Sequence, residues 1–271
     1  ANFAYNHNEV GNIPTLDGII HGATNQIYQN AEEFYRAENG HAIGYFWGYK
    51  TAGIFQSQQD INNWIAAGNG VLQSNVQPGD VKYVDVNHDG AINANDKVDL
   101  GNGLPKYTFG FNFTLGYKGF DLSANFTGAA GFQIAQSYRD PSGSQGNYSH
   151  RILGRWTGEG TTNEMPRVTY GDVGNWLFSD LYLQDGDYIR LQNLTLGYDF
   201  KKLISWKGLS KLRLYFQVQN LFTLTKYDGM DPEIGSYNGT DGNSSDSWVS
   251  GVDMGYYPHP RTFIVGVNVA F

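Results

Sequence analysis

The chain has 271 residues, with 35 Gly, 19 Tyr, 16 Phe and 6 Trp and only 16% charged residues, a composition of strands and turns that is poor in helix formers. A net charge of -8 argues against binding a phosphate backbone, so no nucleic-acid partner is expected. The absence of Cys excludes disulfides, thiolate catalysis and Cys-ligated zinc, and no apolar run is long enough for a membrane-spanning helix.

In chain order, the opening ANFAYNHNEV has neither a basic n-region nor an apolar h-region and reads as the middle of a longer protein. A long Gly/Asn/Asp-rich excursion, roughly 11–105, follows. Within it the aromatics Tyr45, Phe46, Trp47 and Tyr49 of GYFWGYK suit a small core of the loop's own better than a platform for a sugar or peptide. Ser57 and Asp60 have capping-box spacing ahead of INNWIAAG, predicting a short helix that ends at Gly68.

DVNHDGAINAND, residues 85–96, carries explicit chemistry. Asp85, Asn87 and Asp89 stand at loop positions one, three and five, Gly90 at six, Ile92 at eight and Asp96 at twelve, which is calcium-loop spacing. Side-chain oxygens of Asp85, Asn87, Asp89 and Asp96 and the carbonyl of Ala91 would surround a structural Ca²⁺. The competing explanation is an Asx-rich turn without an ion. Asp in place of Glu at twelve shortens the closing ligand, and no long flanking helices make this an EF-hand pair.

KYTFGFNFTLGY then sets Tyr107, Phe109, Phe111, Phe113, Leu115 and Tyr117 against Lys106, Thr108, Gly110, Asn112, Thr114 and Gly116. A Lys118-Gly119 turn leads into FDLSANFTG, with Phe120, Leu122, Ala124 and Phe126 opposite Asp121, Ser123, Asn125 and Thr127. After a second excursion (130–186), YIRLQNLTLGYDF alternates from Leu194 to Phe200 but places Ile189 and Leu191 on the other parity. Either a bulge near Gln192-Asn193 or a start above the membrane explains the switch. LRLYFQVQ pairs Leu212, Leu214, Phe216 and Val218 against Arg213, Tyr215, Gln217 and Gln219. A third excursion (223–260) includes GTDGNSSDS (239–247), expected as a mobile tip, and RTFIVGVNVAF closes the chain with Phe263, Val265, Val267, Val269 and Phe271 in one parity.

Such strands fit two solvents. A secreted, calcium-stabilised β-sandwich that binds carbohydrate would pack the apolar faces together, whereas a transmembrane barrel turns them to lipid. Strands of about 9–13 residues and alternation of short connections (118–119, roughly 201–211) with very long ones favour the barrel. Tyr117, Phe120, Tyr198, Phe200 and Phe271 gather at the short-turn ends, as a periplasmic aromatic girdle would. The polar residues Asn112, Thr114, Ser123, Asn125, Arg213, Gln217 and Gln219 then face a lumen. No catalytic set is evident: Asp231 and Glu233 share one loop, the six His lack metal spacing and read as surface groups, and there is no G-x-S-x-G. The protein is therefore not expected to be an enzyme.

Seven stretches in order, NFAYNHNEV, GYKTAGIFQS, GDVKYVDVNHDGAIN, YKGFDLSANFTG, GDYIRLQNLTLGYDF, QNLFTLTKYDGMDPE and YPHPRTFIVGVNVAF, together resemble the SusC/RagA family of TonB-dependent outer-membrane transporters. The resemblance implies an all-β fold, an antiparallel transmembrane β-barrel portion of about six strands from a 22-stranded barrel with long extracellular loops. It makes residues 1–271 the C-terminal part of that barrel, with the calcium-type residues in an acidic loop after Gly79-Asp80 and Phe271 as an assembly signal. It implies import of oligosaccharides or peptides with a SusD-like surface lipoprotein, driven through TonB. Nothing here matches a plug, a TonB box or earlier strands, so the remainder of the transporter would have to pair with the open edges in the bacterial outer membrane.

Overall fold

A computed structural model describes residues 1–24, 27, 31–136, 150–169, 174–235 and 248–271, the side chains of His150 and Lys202 excepted. The tip expected at 239–247 lies outside the described residues. No described helix is long and apolar enough to cross a membrane.

Six strands form one antiparallel sheet in chain order: β1 (Asn2–Tyr5), β2 (Tyr107–Tyr117), β3 (Phe120–Ala130), β4 (Tyr188–Asp199), β5 (Lys211–Thr225) and β6 (Thr262–Ala270). The sequence identified the last five; β1 is too short for its alternation to be distinctive. Lys118 (φ 49°) and Gly119 (φ 99°) both take positive φ, the backbone of a two-residue hairpin turn whose twist matches its strands. β1 and β6 stand at the two edges of this sheet.

Cross-strand partners share a face, and the register makes each face continuous. Leu115, Leu122, Leu196, Phe216 and Val265 line up across the apolar side. Asn112, Asn125, Asn193, Gln219 and Thr262 line up across the other. The apolar side is open: Phe111 is 50% exposed, Phe216 45% and Val265 71%. This disfavours the sandwich alternative, which needs a second sheet sealed onto those side chains.

The irregular parity of β4 is a bulge that widens across the sheet. Phe126 and Asn125 are adjacent on β3; their partners on β4 are Leu191 and Asn193, and the corresponding residues of β5 are Phe222 and Gln219. β4 therefore carries one extra residue at this level and β5 two, with Asn220 at φ 51°. Above the bulge Ile189 and Leu191 return to the apolar face, and Arg190 stays with Thr127 and Thr223 on the polar one.

The long connections are not structureless. They build a folded body with three small sheets, and its main apolar cluster draws Phe34, Tyr35 and Phe46 from the first connection, Ala135, Phe178 and Tyr182 from the second, and Val249 and Val252 from the third. Tyr45, Phe46 and Tyr49 are buried, as expected of a loop core. Gln58–Ala66 is a helix whose N-cap Ser57 accepts from the Asp60 N–H. The Asp60 carboxylate accepts from the Gln56 N–H, one residue before the reciprocal bond of a full capping box.

Candidate functional site

The polar face of the sheet carries rows of amide, hydroxyl and charged side chains. At its short-turn end Arg213 reaches across β4 to Asp121, with Nε 2.7 Å from Oδ1 and Nη2 bound to Oδ2. The pair passes over Gly197, where a Cβ would lie 2.5 Å from the guanidinium and 2.6 Å from the carboxylate. Only a bare Cα admits that crossing. Higher on this face the Gln217 side-chain amide continues the row, its Nε2 donating to Asn193 Oδ1 at 3.1 Å.

At the loop end the bulge aims Arg190 inward, where it is 3% exposed. Its Nη2 binds Asp231 Oδ1, its Nη1 lies 2.9 Å from Glu233 Oε2, and its Nε donates to Thr223 Oγ1 at 3.0 Å. The His259 ring and backbone N–H both meet Asp231 Oδ2, at 2.9 and 3.1 Å. Burial works against the Asp231 carboxylate, but hydrogen bonds from the Glu233 N–H, the His259 ring and N–H, and Arg190 outweigh it and hold its pKa below the ordinary value. This constellation fastens the Asp231-Pro232-Glu233 segment over the polar face. Beside it lies a cavity of about 480 Å³, bordered by Asn2, Thr108, Thr127, Gln192, Glu233 and Ser250.

Asp231, Glu233 and His259 also form the one described trio of acidic and His groups whose ligand atoms lie within 4.8 Å of one another. Arg190 already supplies positive charge to both carboxylates, so the geometry is that of an anchored loop. Of the six His, expected as surface groups, His259 is thus engaged with a buried acid, and His41 Nδ1 lies 3.1 Å from Asp99.

A second cavity, about 690 Å³, lies in the loop body between His21, Glu33, Arg36, Trp47, Asn95 and Lys97. The Arg36 guanidinium stacks 3.4 Å from the Trp47 ring centroid and pairs with Glu38 at 2.8 Å. His21 bridges two acids, Glu33 at 2.9 Å and Asp17 at 3.1 Å. The Glu33 bond and then the Asp17 bond raise the His21 pKa, and the His21 bond is the main cause of Asp17 falling to about 2. A raised His contributes fully below its ordinary pKa of 6.5 and loses that contribution as pH climbs through the higher folded value. Proteolysis of the 17–38 segment in the full-length protein is therefore expected to accelerate as pH rises above about 6.5, and His21→Gln should remove the pH dependence. Equal pH profiles for the two proteins would refute the bridge.

The calcium-type residues lie together in one loop. Asp85 and Asp96 are buried. Asp85 accepts the N–H groups of Asp89 (3.2 Å) and Gly90 (2.7 Å), and Asp96 those of Val86 (2.9 Å) and Asn93 (2.8 Å). Asn87 Oδ1 accepts from the Asp89 N–H, and Asp89 Oδ1 from the Ala91 N–H. Gly90 takes φ 83°, as the sharp turn at position six requires. The oxygen-only donor set suits a hard cation, although Asp96 Oδ1 already accepts two backbone N–H groups, from Val86 at 2.9 Å and Asn87 at 3.4 Å. The acids do not converge as tightly as the trio at His259.

Sequence reasoning missed Arg190, His259 and Arg36. It also passed over Asp80, fully buried, whose carboxylate binds Arg167 (2.6 Å) and Asn175 (2.8 Å) from the second connection. Arg190, His259 and Asp80 lie far in sequence from the charged groups they meet, whereas Arg36 pairs with Glu38 two residues along the chain. The polar parity of Arg190 opposite Thr223 was the available signal, hidden by the bulge.

No protein-family model matches the chain. Over its whole length it is 33% identical to TonB-dependent receptor P3 of Formosa agariphila, covering 26% of that protein, and 26% identical to TonB-dependent receptor SusC of Bacteroides thetaiotaomicron, covering 24%. The chain spans about a quarter of the length of these curated relatives. Among solved structures, 99% of the chain superposes on 26% of a chain of the RagAB peptide importer in its 'open-open' state, at 19% identity and a TM-score of 0.67. A further structure of the RagAB peptide transporter gives 0.68 at 20% identity.

Proposed function

This chain belongs to the TonB-dependent receptor family that includes SusC, and from that premise we propose that it supplies a wall segment and extracellular loops to an outer-membrane nutrient importer. The observation that carries the proposal is the two-sided sheet, whose exposed apolar face suits lipid and whose amide and hydroxyl row suits a lumen. Both edges pair with the remaining strands of the transporter, since an open edge in hydrocarbon leaves backbone groups unsatisfied. The loop body receives oligosaccharides or peptides beneath a SusD-like lipoprotein, and TonB supplies energy through parts of the protein outside this chain. Catalysis has no place in this function.

The test is to express the full-length receptor, fractionate the outer membrane with detergent, and identify co-purified ligand and lipoprotein by mass spectrometry. Recovery of the receptor as a monodisperse protein in buffer without detergent would refute the membrane assignment.

The proposal includes a structural Ca²⁺ held by Asp85, Asn87, Asp89, Asp96 and the Ala91 carbonyl, which would rigidify the 85–96 loop. Chelation is expected to increase protease cleavage in that loop, and Asp89→Ala should produce the same sensitivity without chelator. Cleavage unchanged by chelator would remove the ion from the proposal.

A further inference from the structure

The short-turn end of the sheet has a charge opposite to that of the chain. Residues 117–121 and 199–213 hold six of the 18 Lys and Arg but two of the 26 Asp and Glu. Both acids are engaged: Asp121 with Arg213, and Asp199 with the N–H groups of Lys201 (2.9 Å) and Leu212 (3.4 Å). Lys201 caps the turn through the carbonyls of Ile204 and Trp206. Lys211 shares the polar face with Arg213. Apart from Lys202, whose side chain lies outside the description, Lys118 and Lys207 remain, with no carboxylate partner among the described residues.

Exposed apolar groups share this end of the sheet with the two lysines. Leu203 is 68% exposed and Trp206 60%. The Trp206 ring meets Phe271 edge-on at 6.1 Å, at the end of the apolar face, and the Lys118 ammonium lies 5.1 Å from the Tyr117 ring centroid. Phe120, Tyr198 and Phe200 form an adjoining aromatic row, with centroid separations of 4.5 and 4.9 Å. An open indole and leucine at the same end of the sheet as these two lysines suit a boundary where apolar bodies enter acyl chains and amines extend to the phosphate level.

We propose that this end is a binding surface for anionic phospholipid of the periplasmic leaflet, with Lys118 and Lys207 taking headgroup phosphates and Trp206 and Leu203 entering the acyl boundary. The inference rests on the membrane assignment above and adds a lipid preference to it. Charge complementarity selects the occupant: a zwitterionic headgroup offers the amines no net attraction, and each lysine near an anionic surface strengthens binding about fivefold.

The test uses full-length receptor in nanodiscs of phosphatidylcholine with or without phosphatidylglycerol. Native mass spectrometry counts retained lipid. Wild type should retain phosphatidylglycerol in preference to phosphatidylcholine, and Lys118→Gln/Lys207→Gln should lose that preference by about fivefold per lysine. Lys226→Gln, whose side chain is 86% exposed at the opposite end of β5, should leave it unchanged. Equal retention by wild type and the double variant would overturn the proposal, as would an equal loss in Lys226→Gln. Loss of a co-purified periplasmic protein with lipid retention unchanged would overturn it in favour of a protein partner. Absence of the receptor from the outer-membrane fraction would instead refute the membrane assignment, a separately visible result.

Discussion

Arg190→Ala is expected to destabilise the junction between wall and loops by about 3–5 kcal/mol, because it strands a buried carboxylate without its cation. Asp231 lies almost wholly inside, and the removed guanidinium also serves Glu233 and Thr223. The His259 contacts remain, but one imidazole replaces a three-point clamp. Limited proteolysis of the 226–261 connection and chemical unfolding of the full-length protein in detergent would both report the loss. Arg190→Ala/Asp231→Ala should recover much of it, since removing both charges removes the stranded one. If the single and double variants are equally unstable, the cost lies in packing rather than charge.

The same carboxylate fixes an acid dependence. Its pKa is depressed by folding, so its contribution is complete above the ordinary 3.8 and is lost as pH falls through the lower folded value. Acid sensitivity of the junction should thus set in below about pH 4 in wild type and be weaker in Asp231→Asn.

The second large effect concerns the apolar face. Phe216→Arg is expected to cost about 2–4 kcal/mol near the middle of the span and to reduce the amount of receptor assembled in the outer membrane. Gln217→Arg, one residue away on the polar face, should assemble nearly as well as wild type. The two substitutions introduce the same group on the same strand, so the contrast reads the solvent on each side. Equal assembly of both variants would show that hydrocarbon does not contact Phe216.

Much of the wall was legible because a strand's side-chain period is two, and each face meets one environment. The alternation from Tyr107 to Tyr117 and from Phe263 to Phe271, the tight turn at Lys118-Gly119 and the disturbed parity before Asn193 all correspond to observed structure. Three of the four GYFWGYK rings, Tyr45, Phe46 and Tyr49, read correctly as a loop core, while Trp47 is only half-buried and lines the second cavity. The long connections were harder. Their apolar residues are sparse and irregular, and Phe34, Phe178 and Val249 meet in one cluster across more than 200 residues of sequence. No local period encodes such a contact.

What the sequence determined by itself was a set of two-faced antiparallel strands, their short turns, a capped helix and an acidic loop with calcium spacing, because these depend on residues within a few positions of each other. The tertiary structure decided which charges meet. Arg190 finds Asp231 only after a widening bulge turns it inward and a distant loop folds back, and Arg213 reaches Asp121 only because Gly197 between them has no side chain. It also decided that the apolar face stays open, since exposure is a property of what packs against a strand and not of the strand's own pattern.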